Sequence, residues 1–165
     1  MSAELNIARD QLQALEASLP IDPGGKTPAA DGDLPPDLPP DNFIERDGTV
    51  FAGTHLILDL WEAYHLDDLT KVEAALRKAV AVAGATLLHI HLHHFTPNGG
   101  VSGVAVLAES HISVHTWPER NFAAFDIFMC GDAEPEKAIA VLEAAFCPGR
   151  MVVGEHRRGV VQNRG

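Results

Sequence analysis

The sequence predicts an α+β protein, a two-layer α/β sandwich in which a largely antiparallel sheet carries two helices on one face. Six runs have the length and pattern of strands, and two segments have apolar residues at helical spacing. Short turns rich in Gly, Pro and Asn separate several of the strand-like runs. The predicted order is β-α-β-β-β-β-α-β. A hydrophobic content of 46% supports one buried core.

The first 48 residues are predicted to be an N-terminal extension. Residues 2–19 place four leucines near one face of a short helix, which alone would be marginal: Leu5, Leu12, Leu15 and Leu19. Seven of the eleven prolines lie in residues 20–42, and we expect a disordered, solvated linker there rather than a proline-motif ligand. The folded domain is expected over 49–158, and residues 159–165 are expected to fray.

The first half of the domain begins with residues 51–61, a mostly buried strand. Asp67 or Asp68 then caps a helix that ends at Gly84. Five residues form its apolar face: Leu69, Val72, Leu76, Val80 and Ala83. Residues 86–95 alternate as a second strand, with two opposite sets of side chains: Leu88, Ile90 and Leu92 against His89, His91 and His93.

The second half of the domain contains four strands, one helix and clear turns. The turns are Pro97–Gly100 and Pro118–Asn121. The strands are expected over 101–109, 111–117, 122–130 and 150–156. A helix begins at Pro135 and stops at Pro148-Gly149, with five residues facing inward: Ala138, Ile139, Leu142, Ala145 and Phe146.

The net charge and the cysteine content limit the expected binding partners and location of the protein. The net charge of −11 and a pI near 5.1 disfavour nucleic acid and anionic membrane, which need basic patches. Two cysteines make no disulfide framework, so a reducing cytoplasm is the expected location. The first residues have neither a basic nor an apolar signal region, and no run is long enough to span a bilayer.

The stretch 99–131 concentrates groups that do chemistry. Glu109-Ser110-His111 is followed by His115, five residues past Ser110, and by Cys130, twenty past it. A nucleophile, an imidazole and a thiol in one β-rich segment indicate a reactive site. Taken singly, Ser110 is more typical of a polar turn and Cys130 of a small buried hydrophobe.

This stretch resembles the S-adenosylmethionine decarboxylase proenzymes of the small bacterial and archaeal type. Their ESH, HTWPE and CG motifs correspond here to Glu109–His111, His115–Glu119 and Cys130-Gly131, in the same order and spacing. The resemblance runs from about Phe51 to about Val153. It implies a self-processing decarboxylase that converts S-adenosylmethionine to its decarboxylated form and CO2 for polyamine synthesis.

The resemblance also implies roles for the reactive residues. Ser110 attacks the carbonyl of Glu109, and cleavage leaves a pyruvoyl group at residue 110, the covalent cofactor that forms a Schiff base with the substrate amine. His115 is the base for processing, and Ser102 assists by hydrogen bonding. Cys130 donates the proton that completes decarboxylation. The expected products are residues 1–109 and 110–165.

The resemblance places the substrate among three further residues. Phe95 and Trp117 correspond to aromatic residues near the nucleoside, where a ring can stack on adenine and attract the sulfonium. Glu119 corresponds to the carboxylate that binds the ribose hydroxyls. From the residues alone, Trp117 could equally be core and Glu119 an exposed turn carboxylate. A homodimer of processed protomers is the expected assembly, with no metal.

Three alternatives remain open from the sequence. The same pyruvoyl chemistry could act on another amino acid, such as arginine or ornithine. His89, His91 and His93 could bind Zn or Fe, although no carboxylate nearby completes a site. Cys130 and His115 could form a hydrolase without self-processing. His55, His65 and His156 are expected to be non-catalytic, His111 could contribute locally, and Cys147 is expected in the core.

Overall fold

A computed structural model describes residues 42–108 and 110–161. These ranges contain eight strands, two α-helices and a short 3-10 helix: β1 Ile44–Arg46, β2 Thr49–Phe51, β3 Gly53–Trp61, α1 Leu69–Val82, β4 Leu87–His94, β5 Val101–Leu107, β6 His111–Trp117, the 3-10 helix Pro118–Arg120, β7 Phe122–Met129, α2 Glu136–Phe146 and β8 Arg150–Arg158. From β3 onward, the predicted order β-α-β-β-β-β-α-β is confirmed. The helix expected over 2–19 and the proline-rich linker lie outside the described residues.

Six strands form one sheet in the order β4-β5-β6-β7-β3-β8, and every neighbouring pair is antiparallel. Strands β4 to β7 follow one another as a meander joined by short turns. The first strand of the sheet, β3, lies between β7 and β8, which are far from it in sequence. Strands β1 and β2 form a separate hairpin.

Both helices cover the same face of the sheet, so the predicted two-layer sandwich is confirmed. Because side chains alternate along each strand, every second residue points to the helices. These residues form the core with the apolar faces of α1 and α2, and its largest members are at most 1% exposed: Leu56, Leu58, Leu60, Ile112, Phe125, Ile127, Val72, Leu76, Leu142 and Phe146. We call the opposite side of the sheet, which no element in the described ranges covers, the open face.

The caps of α1 agree with the sequence. Asp68 is the N-cap, and its carboxylate accepts a hydrogen bond from the Lys71 backbone N–H at 3.0 Å. At the other end Gly84 has φ +73°, and two backbone hydrogen bonds close the turn, from Gly84 to Ala81 and from Ala85 to Val80. This bonding pattern requires a left-handed residue at Gly84, for which glycine is best suited.

Three predicted side-chain placements are wrong: Leu88 on the face shared with Ile90 and Leu92, Leu69 on the apolar face of α1, and Cys147 in the core. Leu88 is 62% exposed, because the register of β4 against β5 shifts between Leu87 and His89 and Leu87 takes the place opposite buried Leu107. Leu69 is 37% exposed, because it is the first residue of α1 and the buried residues of the helix begin only at Val72. Cys147 is exposed, because it caps α2 in the left-handed conformation, with φ 45°.

The hairpin of β1 and β2 was not predicted. Its first strand lies in the range assigned to the N-terminal extension, whereas Phe51 at its end is fully buried. The division of the chain at residues 48 and 158 stays a prediction. Within 42–108 and 110–161, neither helix has the length and apolar character needed to cross a membrane.

Candidate active site

The predicted site residues lie at two opposite ends of the sheet. Strand β6 connects the ends, since it begins beside Ser110 and contains His115 near its other end. The two residues are five positions apart on extended chain, which is roughly 16 Å at about 3.3 Å per residue. We call the first end the cleavage end and the second the pocket end.

At the cleavage end, the structure brings Ser110 and Cys130 together. Leu107 and Ser110 exchange two backbone hydrogen bonds, of 2.9 and 3.5 Å, which close the tight turn between β5 and β6. Cys130 follows the last residue of β7, and its backbone N–H donates to Ser110 Oγ at 3.2 Å. Its Sγ lies 4.0 Å from the same oxygen. Glu109, the residue whose carbonyl Ser110 is expected to attack, lies outside the described residues.

The contact between these residues suits a nucleophilic hydroxyl. A backbone N–H that donates to Ser110 Oγ orients the oxygen and can stabilise negative charge on it. The neighbouring thiol can donate a proton to an atom held at residue 110. Both side chains are half-buried, so solvent has limited access to them.

At the pocket end, Ser102 and His115 form a second pair. They lie directly opposite each other on β5 and β6, and Ser102 Oγ is 2.7 Å from His115 Nδ1. This hydrogen bond orients the imidazole. With Nδ1 so engaged, Nε2 is the ring nitrogen left to exchange a proton with a reacting group.

A pocket of about 370 Å³ opens beside this pair, a size typical of small-molecule sites. All three predicted substrate-binding residues line it, namely Phe95, Trp117 and Glu119, together with Ser102. Phe95 and Trp117 are 48% and 39% exposed, so their rings are accessible to a ligand. The structure therefore places the predicted binding residues around one cavity.

Thr116 holds this end of the sheet together, a role that the sequence did not reveal. Its buried hydroxyl accepts from the Val101 N–H and donates to the Leu66 carbonyl, both at 2.7 Å. The neighbouring Gly100 approaches the Thr116 carbonyl so closely that a Cβ there would lie 2.8 Å from it. The HTWPE motif contained Thr116, but only the folded chain shows its two partners.

An aromatic stack extends from the pocket across the open face. Trp117 stacks on Phe122 at 5.3 Å between ring centroids, and Phe122 packs on Trp61 at 4.3 Å. Arg150 lies over Trp61 at 5.2 Å from the ring centroid. The stack is made by residues paired across β6, β7, β3 and β8. The sequence does not reveal the stack, because Trp61, Arg150 and the segment that contains Trp117 and Phe122 are far apart in the chain.

A polar group occupies the middle of the open face. Ser113 donates to Asp126 at 3.1 Å, and His55 Nε2 lies 3.5 Å from the same carboxylate without a hydrogen bond. His55 Nδ1 is 3.0 Å from Arg158. No residue of this group was singled out as functional from the sequence.

The histidines of β4 are exposed and do not converge. His89, His91 and His93 pair with successive open-face positions of β5, so they are spread along the strand. Within the described part of the chain, no three His, Cys, Asp or Glu side chains are placed to hold a metal ion. The metal-site alternative therefore gains no support from these residues.

Comparison with known proteins identifies the family. A sequence model of the S-adenosylmethionine decarboxylase family matches residues 54–159. The chain belongs to the S-adenosylmethionine decarboxylase family. The resemblance seen in the sequence is thereby confirmed, and the matched range contains both ends of the candidate site.

Individual relatives agree with this assignment. The chain is 47% identical over 110 residues to the S-adenosylmethionine decarboxylase proenzyme of Thermomicrobium roseum, covering 66% of this chain and 95% of the relative. It is 46% identical over 114 residues to the proenzyme of Methanococcus maripaludis, covering 67% and 93%. The crystal structure of the adenosylmethionine decarboxylase from Aquifex aeolicus matches with a TM-score of 0.60 and 31% identity, covering 70% and 97%.

Proposed function

We propose that this chain is the proenzyme of a pyruvoyl-dependent decarboxylase that converts S-adenosylmethionine to decarboxylated S-adenosylmethionine and CO2 for polyamine synthesis. Family membership supports this activity. The single observation that carries the self-processing step is the 3.2 Å hydrogen bond from the Cys130 N–H to Ser110 Oγ, which holds a serine hydroxyl at the turn that would be cut.

Processing is proposed to begin with Ser110. Its Oγ attacks the carbonyl carbon of Glu109, the C–N bond breaks, and an ester forms as the nitrogen takes a proton. A base then removes the Ser110 α-proton, and the Cβ–Oγ bond breaks to release the Glu109 carboxylate. Water hydrolyses the resulting dehydroalanine and releases ammonia, which leaves the pyruvoyl group. The products would be chains of 109 and 56 residues.

The residues around Ser110 fit a pyruvoyl group at that position. When present, a pyruvoyl group would supply the electron sink that decarboxylation requires. Cys130 Sγ lies 4.0 Å from the Ser110 oxygen, and in this proposal its thiol delivers a proton to a carbon atom held beside residue 110. This supports Cys130 as the proton donor.

The pocket end is proposed to bind the substrate. Phe95 and Trp117 offer ring faces for adenine and for the sulfonium charge, and Glu119 offers a carboxylate for the ribose hydroxyls. The Ser102–His115 pair beside them would supply the base for processing. Within one chain, however, this pair lies at the opposite end of β6 from Ser110.

A homodimer would join the two ends into complete sites. If two open faces pack about a two-fold axis that runs across the strands, the cleavage end of one chain lies over the pocket end of the other. The open face has the apolar surface for such an interface, since Ile57, Val106, Trp117 and Val152 are each 39 to 45% exposed. We therefore propose that Ser110 and Cys130 of one protomer act with Ser102 and His115 of its partner.

The remaining proposals concern substrate and location. A reducing cytoplasm agrees with the two-cysteine composition, and the net charge of −11 disfavours nucleic acid and anionic membranes as partners. Arginine or ornithine would be the substrate if the pocket accepted no nucleoside. The paired aromatic rings Phe95 and Trp117 favour the adenine-containing substrate instead.

Intact mass and CO2 release test the proposal together. The purified protein should consist of two chains divided before residue 110, with the second chain carrying pyruvoyl. It should release CO2 from S-adenosylmethionine and not from arginine or ornithine. Ser110→Ala should abolish both cleavage and CO2 release, whereas Ser113→Ala, on the strand β6 that follows, should retain them. Decarboxylation by the uncut Ser110→Ala chain would refute the proposal.

A further inference from the structure

The hairpin of β1 and β2 lies against the loop that carries Cys130. We define the strap as residues 42–50, from Asn42 to the residue before buried Phe51. The family match begins at residue 54, so the strap lies outside the part of the chain that matches the family. Its contacts are concentrated on two features, the loop between β7 and α2 and the edge strand β8.

The strap contacts both ends of the loop between β7 and α2. At the start of the loop, the Gly131 N–H donates to the Asn42 carbonyl at 2.9 Å. At its end, Arg46 pairs with Glu136 at 3.2 Å, in the first turn of α2. Gly131 follows Cys130 directly, so the first contact fixes the peptide next to the thiol-bearing residue.

The strap is itself fastened to β8. Arg157 binds Asp47 at 2.9 Å, donates to the Arg46 carbonyl at 3.4 Å, and lies 5.1 Å from the centroid of the Phe51 ring. A further backbone bond of 2.8 Å joins the Val161 N–H to the Val50 carbonyl. These contacts hold the strap against β8 and the residues that follow it.

We infer that the strap positions Cys130. The Cys130 N–H binds Ser110 Oγ, and the next peptide N–H along the chain binds Asn42, so the strap and the reactive serine hold two successive peptides of one turn. Loss of the strap would free the Gly131 peptide and loosen the geometry of the Cys130 N–H and Sγ toward residue 110. The contacts of the strap do not depend on the proposed function. Only the reactions that the strap would affect, self-cleavage and decarboxylation, rest on it.

Two truncated chains test the inference. A chain that begins at Asn42 keeps the strap, and a chain that begins at Phe51 removes it while keeping Phe51 in the core and the Ala52–Arg158 backbone bond. The first should behave as the full chain. The second should cleave itself about three- to tenfold more slowly, the range expected for the loss of one hydrogen bond. It should also complete fewer turnovers before it inactivates, because a misplaced proton donor protonates the wrong atom.

Alkylation of Cys130 provides a readout that does not depend on activity. In a Cys147→Ser background, which removes the exposed thiol, iodoacetamide should react with Cys130 about three- to tenfold faster in the chain that begins at Phe51. Equal alkylation and cleavage rates in both truncated chains would overturn the inference. If the full chain neither cleaves itself nor releases CO2, the proposed function fails, and the alkylation rates still decide the role of the strap.

A point substitution covers the case in which the shorter chain does not fold. Arg157→Gln in the full chain removes the ion pair to Asp47 and loosens the strap, so Cys130 alkylation should rise by about twofold. Arg77→Gln, which breaks a comparably exposed ion pair to Glu73 on α1, should leave alkylation unchanged. An Arg157→Gln rate equal to that of the control would count against the strap.

Discussion

The two ends of the open face differ in what their residues can do. The cleavage end has a hydroxyl, a backbone donor and a thiol in contact, and neither Ser110 nor Cys130 lines the pocket of about 370 Å³. The pocket end has that cavity, with two accessible rings and an imidazole oriented by Ser102, and it lies away from the turn that would be cut. Because the two ends are separated along β6, we propose that each is half of a site and that a second copy supplies the other half.

Mixing two inactive variants gives the largest effect that this comparison predicts. Ser110→Ala damages the cleavage end and His115→Ala the pocket end, so each homodimer should be inactive. In a co-expressed mixture, about half of the dimers contain one chain of each kind, and one of their two sites is intact, so about one quarter of the wild-type activity should return. CO2 release from the mixture measures this recovery.

A second mixture provides the control. Ser110→Ala and Cys130→Ala both alter the cleavage end. In their mixed dimers one cleavage end lacks Ser110 and the other lacks Cys130, so neither site is complete. Recovery with the first pair and none with the second would establish the shared site. Full inactivity of both mixtures would mean that each chain builds its own site.

Separating the two copies should be nearly as damaging. Ile57 is 41% exposed in the middle of the open face, and Arg at this position would place an unpaired charge in the proposed interface. The dimer dissociation constant should rise by about 100-fold or more, and activity should fall with it at low protein concentration. Sedimentation velocity gives the oligomeric state.

Val82→Arg is the matched control for this change. Val82 is 37% exposed on α1, in the helical layer, where an added charge remains in water. This variant should keep both the dimer and the activity. A fully active monomer of Ile57→Arg would contradict the division of the site between two chains.

Cys130→Ala separates processing from decarboxylation at the cleavage end. The backbone N–H that binds Ser110 Oγ remains in the variant, so self-cleavage should continue. The proton donor is lost, and kcat should fall by about 100-fold, within the range that general acid catalysis contributes. Cleavage is followed on a denaturing gel and kcat by CO2 release. Equal losses in both would assign Cys130 a structural role.

The sequence predicted the elements and most of the core, because alternation and helical spacing are local properties. Each of its errors has an identifiable structural cause. Leu88 was misplaced by a shift in register that depends on how β4 meets β5, and Cys147 by a helix end that closes in a left-handed conformation. The hairpin of β1 and β2 was missed because its short strands lie next to a proline-rich stretch and have little apolar alternation.

The site residues were recognisable as a motif, but their arrangement was not. Ser110, His115 and Cys130 are close in sequence, which suggested one cluster, whereas β6 carries the first two to opposite ends of the sheet. The number of residues between two positions on a strand sets the distance between them. Once β6 was known, the separation of Ser110 from His115 therefore followed. The contacts of Thr116 with Leu66 and of Gly131 with Asn42 join residues distant in sequence, and no local pattern encodes them.

The smallest predicted effect concerns binding at the pocket end. Trp117→Ala removes a ring that faces the cavity, so KM for S-adenosylmethionine should rise by about tenfold, the usual contribution of one cation–π or stacking contact, while self-cleavage is unchanged. Trp61→Phe keeps an aromatic ring on Phe122 and lies outside the pocket, so it should leave KM nearly unaltered. A fall in kcat with constant KM would instead mean that Trp117 acts in the reaction and not in binding. The two ends would then not divide binding from reaction as proposed.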